Sequence, residues 1–297
     1  MMATMRETFT AEASDLLDAN DRLAVVLADI SVGLFRTAAR RHPLRVINVG
    51  IREQLMVSVA AGLSLSGIRP IVHTYAPFLI ERPFEQVKLD LGHQGLGAVL
   101  VSVGASYDAA SYGRTHQAPE DVAVLSALPG WTVHVPGHPD EARRLLREAA
   151  AGDGRVYIRL TEAASNAAAS SVAEPIQVMR RGSGATVFAV GPMLDRVLAA
   201  TIDRDVTVLY AVTVRPFPSA ALQALVRTPE VVLIEPYLAG TSAACINEAL
   251  GRTPHRLLSI GVPLGEFRHY GTASEHDEAH GLTVTHIRTQ IDRFLDG

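Results

Sequence analysis

Short β-branched runs alternate along this chain with alanine- and leucine-rich stretches of helical length. LAVVLADI, LRVINV, IRPIVHTY, GAVLVSVG, WTVHVP and RVYIRL read as strands. Between them, REQLMVSVAAGLSLS and PDEARRLLREAAA have helical length, and the second opens on Asp140 and Glu141 and stops before Gly152. Such alternation predicts a parallel sheet with helices packed on its faces. From Ala164 to Pro175 the chain is small and polar and offers little to a core. A second alternating block follows, with strands ATVFAVG, VTVLYAV, EVVLIEP and RLLSIGVP and an amphipathic helix from about Thr283 to Leu295. The pattern predicts an α/β protein of two domains, each a mainly parallel sheet flanked by helices. Residues 1–163 form the first, 164–176 a linker and 177–297 the second.

Composition agrees with that division. A chain of 297 residues is long for a single core. Its 48% hydrophobic and 20% charged residues are those of an ordinary globular protein. The net charge of -4 comes without a basic cluster, which argues against a nucleic-acid partner. The most apolar stretch, Leu55 to Leu65, is too short for a membrane span. Cys245 is the only cysteine, so no internal disulfide or cysteine-based zinc site forms, and the expected setting is cytoplasmic.

Chemistry concentrates in the first block. NVGIREQ runs from a strand through Gly50 into a helix, placing Glu53 in the first helical turn at the carboxyl end of a strand, where open α/β sheets bind ligands. An acid there also complements the helix dipole, so position alone does not assign a role. Downstream lie TYAPFLIERPFEQVKLD, then YGRTHQAPED, then VYIRL. Tyr75 and Phe78 are equally readable as core aromatics, Arg82 and Glu85 as a pair on one helix face, and His116 as a cap for the next helix. His73, His134 and His138 carry no comparable pattern, and no pair of histidines has the spacing of a zinc helix.

Taken in order, these motifs resemble the pyrimidine-binding domain of transketolases, especially the carboxyl-terminal subunits of transketolases split into two chains. The likeness spans essentially the whole chain, with Ala185 onward resembling the carboxyl-terminal domain. It implies a thiamine-diphosphate enzyme in which Glu53 hydrogen-bonds N1' of the aminopyrimidine and so promotes loss of the C2 proton. Tyr75 and Phe78 then line the pyrimidine, and His116 hydrogen-bonds a substrate oxygen. The family's Mg2+ and diphosphate motif is a GDG followed by an asparagine. The GDG at Gly152 to Gly154 lacks that asparagine and reads as a turn. Metal and diphosphate are therefore expected on a partner resembling the amino-terminal half of transketolase, in an α2β2 assembly, with no metal ligands on this chain.

The match breaks at the substrate. Tyr112 stands where the family has an acid that reads a sugar hydroxyl, and Gly104 falls near another substrate histidine. Thr161 and Glu162 replace a Gly-Arg pair that helps bind a phosphate, a task suited to a planar guanidinium. Arg159, and more weakly Arg6, are the candidates to compensate. The expectation is ketol or acyl transfer on a non-standard substrate, in specialised metabolism. Two rivals are the beta subunit of a 2-oxo acid dehydrogenase or decarboxylase, and a non-catalytic structural paralogue.

Overall fold

The structure is a computed structural model that describes residues 3–166 and 174–297. The expected linker falls largely on residues 167–173, outside the described residues. Each stretch read as a strand contains one. In the first sheet these are β1 (Leu23–Leu27), β2 (Val46–Asn48), β3 (Arg69–Tyr75), β4 (Val99–Val103), β5 (Trp131–His134) and β6 (Arg155–Arg159). All six are parallel, in the order β5-β6-β4-β3-β1-β2. Every residue of β1 and β4 is buried, as befits central strands covered on both faces. Each fully buried Leu or Val there contributes about 1.5–3 kcal/mol relative to exposure.

The second sheet contains β7 (Gln177–Arg180), β8 (Thr186–Val190), β9 (Thr207–Ala211), β11 (Glu230–Leu238) and β12 (Arg256–Val262), ordered β12-β11-β8-β9-β7. Only β7 runs antiparallel, on β9. The three-residue β10 (Thr213–Arg215) leaves this sheet just after β9 and adds an antiparallel edge to β5 of the first. One apolar cluster accordingly runs from Val26 and Met56 through Trp131 and Val133 to Phe188, Leu209 and Leu233. The two sheets share a core as well as a chain.

A helix that the pattern did not suggest, Met5–Ala19, starts from a capping box between Thr4 and Glu7. It buries Met5, Phe9, Ala13 and Leu17, and its Glu12 takes two hydrogen bonds from Arg147 of the Pro139–Ala151 helix, at 2.5 and 2.9 Å. The GDG segment connects that second helix to the amino end of β6, remote from the carboxyl ends of the strands. There Asp153 is 3.7 Å from Arg22, and the Gly154 carbonyl accepts from Arg69. Among the described residues no helix is long and apolar enough to cross a membrane.

Arg159, the candidate substrate guanidinium, lies in the core. Its side chain is fully buried, with Nε 2.8 Å from Asp121 Oδ2 and Nη2 donating to Ser106 Oγ at 2.6 Å. Asp121 is buried as well and also accepts from the Tyr157 hydroxyl at 2.7 Å. These contacts join β6 to the Asp121–Ser126 helix through Nε and Nη2, while the buried Nη1 has no hydrogen-bond partner among the described residues. Removing one partner of such a pair strands the other charge in the core. Asp121→Ala is expected to cost about 3–5 kcal/mol in urea unfolding; a loss below about 1 kcal/mol would show that the pair is dispensable.

Candidate active site

The carboxyl ends of the parallel strands converge on one region of the first domain. Past β2 the chain turns at Gly50, with φ at +72°, and enters the Glu53–Leu65 helix. Glu53 is the first residue of that helix and is 2% exposed. The amino end of a helix favours a carboxylate, but burial opposes its charge unless a partner is supplied. Arg82 is the partner, its Nη1 donating to Glu53 Oε1 at 2.7 Å. Oε2 has no hydrogen bond among the described residues.

Arg82 follows a π-helical turn, Pro77–Glu81, that continues directly from β3. This places its guanidinium carbon 4.0 Å from the centroid of the Phe78 ring, within cation–π range. Gln54 steadies the same turn by donating to the Arg82 carbonyl at 3.2 Å. The expected pairing of Arg82 with Glu85 is thus replaced by one reaching 29 residues back to Glu53. Sequence spacing holds no sign of that contact.

His116 lies at the centre of an aromatic group. Its ring centroid is 4.9 Å from Phe78, 5.6 Å from Tyr75 and 4.9 Å from Tyr112. Tyr75 and Phe78 meet edge to face at 6.1 Å. His116 does not cap the Asp121–Ser126 helix, whose start has no side-chain cap; its Nδ1 pairs with the Thr115 hydroxyl at 2.9 Å. Partial burial, and then the Arg82 charge, hold the imidazole below its ordinary titration range. That shift favours the neutral imidazole, which can both donate and accept. Glu53, Arg82, Tyr75, Phe78, Tyr112 and His116 form one contiguous set.

Gly104, after β4, has φ at +67°, and a Cβ placed there would fall 2.2 Å from Tyr75 Cδ1. The Tyr75 ring occupies the space that a side chain at this position needs. The second domain also reaches the site, because a Cβ on Gly113 would meet the Tyr270 ring at 2.6 Å and Gln117 Nε2 donates to the His269 carbonyl at 3.3 Å. His73, His134 and His138 are tied into the scaffold. His73 is bonded to Val101 and Ser31 inside the first domain, His134 to Thr213, and His138 caps the Pro139–Ala151 helix. Burial pushes His73 and His134 down to about 4. Among the described residues no group of three or more His, Cys, Asp or Glu is arranged to hold a metal ion.

Residues 1–166 match the family described as transketolase, pyrimidine binding domain. A split-gene transketolase solved as an inactive beta4 tetramer superposes with a TM-score of 0.86 at 27% identity, over 100% of this chain and 99% of that one. An uncharacterized 33.6 kDa protein in the fasciation locus of Rhodococcoides fascians is 50% identical, over 98% of this chain and 95% of its own. A 6-deoxy-6-sulfo-D-fructose transketolase subunit of a Clostridium species is 29% identical over 95% of this chain and 92% of its own. The fold and these matches define a transketolase-type protein. The chain belongs to that family, as the carboxyl-terminal, or beta, subunit of a split transketolase.

The neutral state of His116 is checked by NMR titration of its imidazole, assigned with His116→Gln. Arg82→Met removes a nearby positive charge while burial persists, so the His116 midpoint should move to higher pH. A midpoint that stays in place or falls would show that Arg82 does not govern the imidazole.

Proposed function

We propose that this chain is the cofactor-activating subunit of a two-chain, thiamine-diphosphate-dependent transferase of the transketolase type. In this reading residues 1–163 form the pyrimidine-binding domain, residues 164–176 link the domains, and residues 177–297 form the carboxyl-terminal domain. The observation that carries it is the Glu53 carboxylate, buried and held through one oxygen by Arg82, whose guanidinium lies over Phe78 in the group with Tyr75 and His116.

The residues fit the aminopyrimidine end of the cofactor. A flat heteroaromatic ring needs apolar faces, which Tyr75 and Phe78 supply, and its ring nitrogen needs a carboxyl partner, for which Glu53 Oε2 is uncommitted among the described residues. When bound, thiamine diphosphate supplies a carbon nucleophile and an electron sink. The protein contributes orientation and proton handling. Glu53 holds a proton at N1', with Arg82 keeping the carboxyl group from rotating away. Neutral His116 donates to or accepts from an oxygen of the carbonyl substrate, and Tyr112 borders that oxygen's surroundings.

The diphosphate and Mg2+ belong, in this reading, to a partner chain that completes the site in an α2β2 cytoplasmic enzyme. Two features support a partner. Ile51 and Leu55, on either side of Glu53, are 70% and 44% exposed, as expected of a rim that another chain covers. The similar split-gene transketolase is inactive as a beta4 tetramer.

Glu53→Gln tests the central assignment, since an amide cannot hold and release that proton. Turnover of the reconstituted two-chain enzyme should fall on the order of 10²–10⁴-fold, with unchanged circular dichroism. Near-normal turnover would refute the role of Glu53. Calorimetry supplies a second test: the isolated chain should bind thiamine diphosphate weakly, and tight stoichiometric binding without a partner would refute the shared site.

A further inference from the structure

Beyond the Tyr75 ring the aromatic group opens into a cavity of about 550 Å³, lined by Arg6, Leu34, Tyr75, Gly104, Thr161 and Glu162, with Thr4, Glu7 and Val103 completing its wall. Resting on the function proposed above, we infer that this cavity takes the uncharged, hydroxylated tail of the carbonyl substrate and excludes a terminal phosphate.

Four observations carry the inference. First, the lining holds one cation, Arg6, against two carboxylates, Glu7 and Glu162, a formal balance of -1. Glu7 is committed to the Thr4 capping box, but the Glu162 carboxylate is exposed and unpaired among the described residues. Second, the Glu162 backbone is anchored beside the cavity, because its N–H and that of Ala105 both donate to Asp108 Oδ2, at 3.0 and 3.1 Å. A phosphate dianion entering beside it meets like-charge repulsion at short range.

Third, the one cation is only partly available. Arg6 Nε donates to Ser31 Oγ at 3.0 Å, and that hydroxyl is tied in turn to the buried His73 at 2.8 Å. The rest of the fork can donate to hydroxyl oxygens, as the free Glu162 carboxylate can accept from hydroxyl protons. Fourth, Arg159 does not line this cavity, and its Nε and Nη2 are held in the core by Asp121 and Ser106. What remains is an acceptor, a donor and the apolar surfaces of Tyr75, Leu34 and Val103, which together suit a neutral polyol chain.

A matched pair of ketoses tests this. D-Xylulose and D-xylulose 5-phosphate, differing only in the terminal phosphate, are supplied as ketol donors to the reconstituted two-chain enzyme. The neutral ketose should have the higher kcat/KM, by about tenfold or more from one added like charge. Glu162→Gln should bring the ratio toward one, and Glu162→Arg should invert it. A wild-type preference for the phosphate ester, a ratio unmoved by both variants, or no turnover with either ketose overturns the inference. Glu53→Gln run alongside separates the two claims. If wild type prefers the ester and Glu53→Gln is inactive, the substrate class alone is wrong; if Glu53→Gln turns over both ketoses normally, the activating role is wrong.

Discussion

The buried Glu53 carboxylate is the constraint around which the rest of the site is arranged. A carboxyl group 2% exposed at the start of a helix is costly unless something offsets its desolvation. The helix terminus contributes part and Arg82 the remainder, at 2.7 Å. To deliver that guanidinium, the chain leaving β3 must wind through a π-helical turn, and the same turn sets Phe78 beneath Arg82 and toward His116. Partnering the acid therefore also builds the aromatic pocket. The Arg82 charge in turn helps keep His116 neutral, so a single arginine conditions both candidate proton-handling groups.

The second domain is part of this arrangement. Its β10 edge strand pairs with β5, the apolar core crosses between the sheets, and Tyr270 rests on Gly113 just before His116. The loop that carries His116 thus lies between two domains, and its position depends on both. A carboxyl-terminal domain without recognisable chemistry of its own still shapes the site through packing.

The alternation of apolar runs made the parallel sheets legible, because strands buried on both faces announce themselves as continuous β-branched segments. Tyr75, Phe78, Tyr112 and His116 were legible through their order, and the structure brings them together. Contacts between distant residues were not legible. Arg82 sits three residues from Glu85 in sequence yet pairs with Glu53. Arg159 looked available at the end of a strand, whereas Asp121, 38 residues away, claims it. The Met5–Ala19 helix was hidden because Thr, Ala and Ser dilute its apolar face, and β10 because three residues are too few to show a period. Both elements matter to function: the first lines the cavity with Arg6 and Glu7, and the second joins the domains.

In the proposed reading, activation of the cofactor and choice of substrate fall to separate sets of residues, joined by Tyr75. Phe78, which carries Arg82 over its face, packs edge to face with that ring, and Gly104 and the cavity reaching Glu162 also border it. In that reading the first set can persist while the second changes. The most direct measurement is deuterium exchange at C2 of thiamine diphosphate in the reconstituted complex, with no substrate present. The account predicts rapid exchange in the wild type and loss of that acceleration in Glu53→Gln; exchange equally fast in both would contradict it.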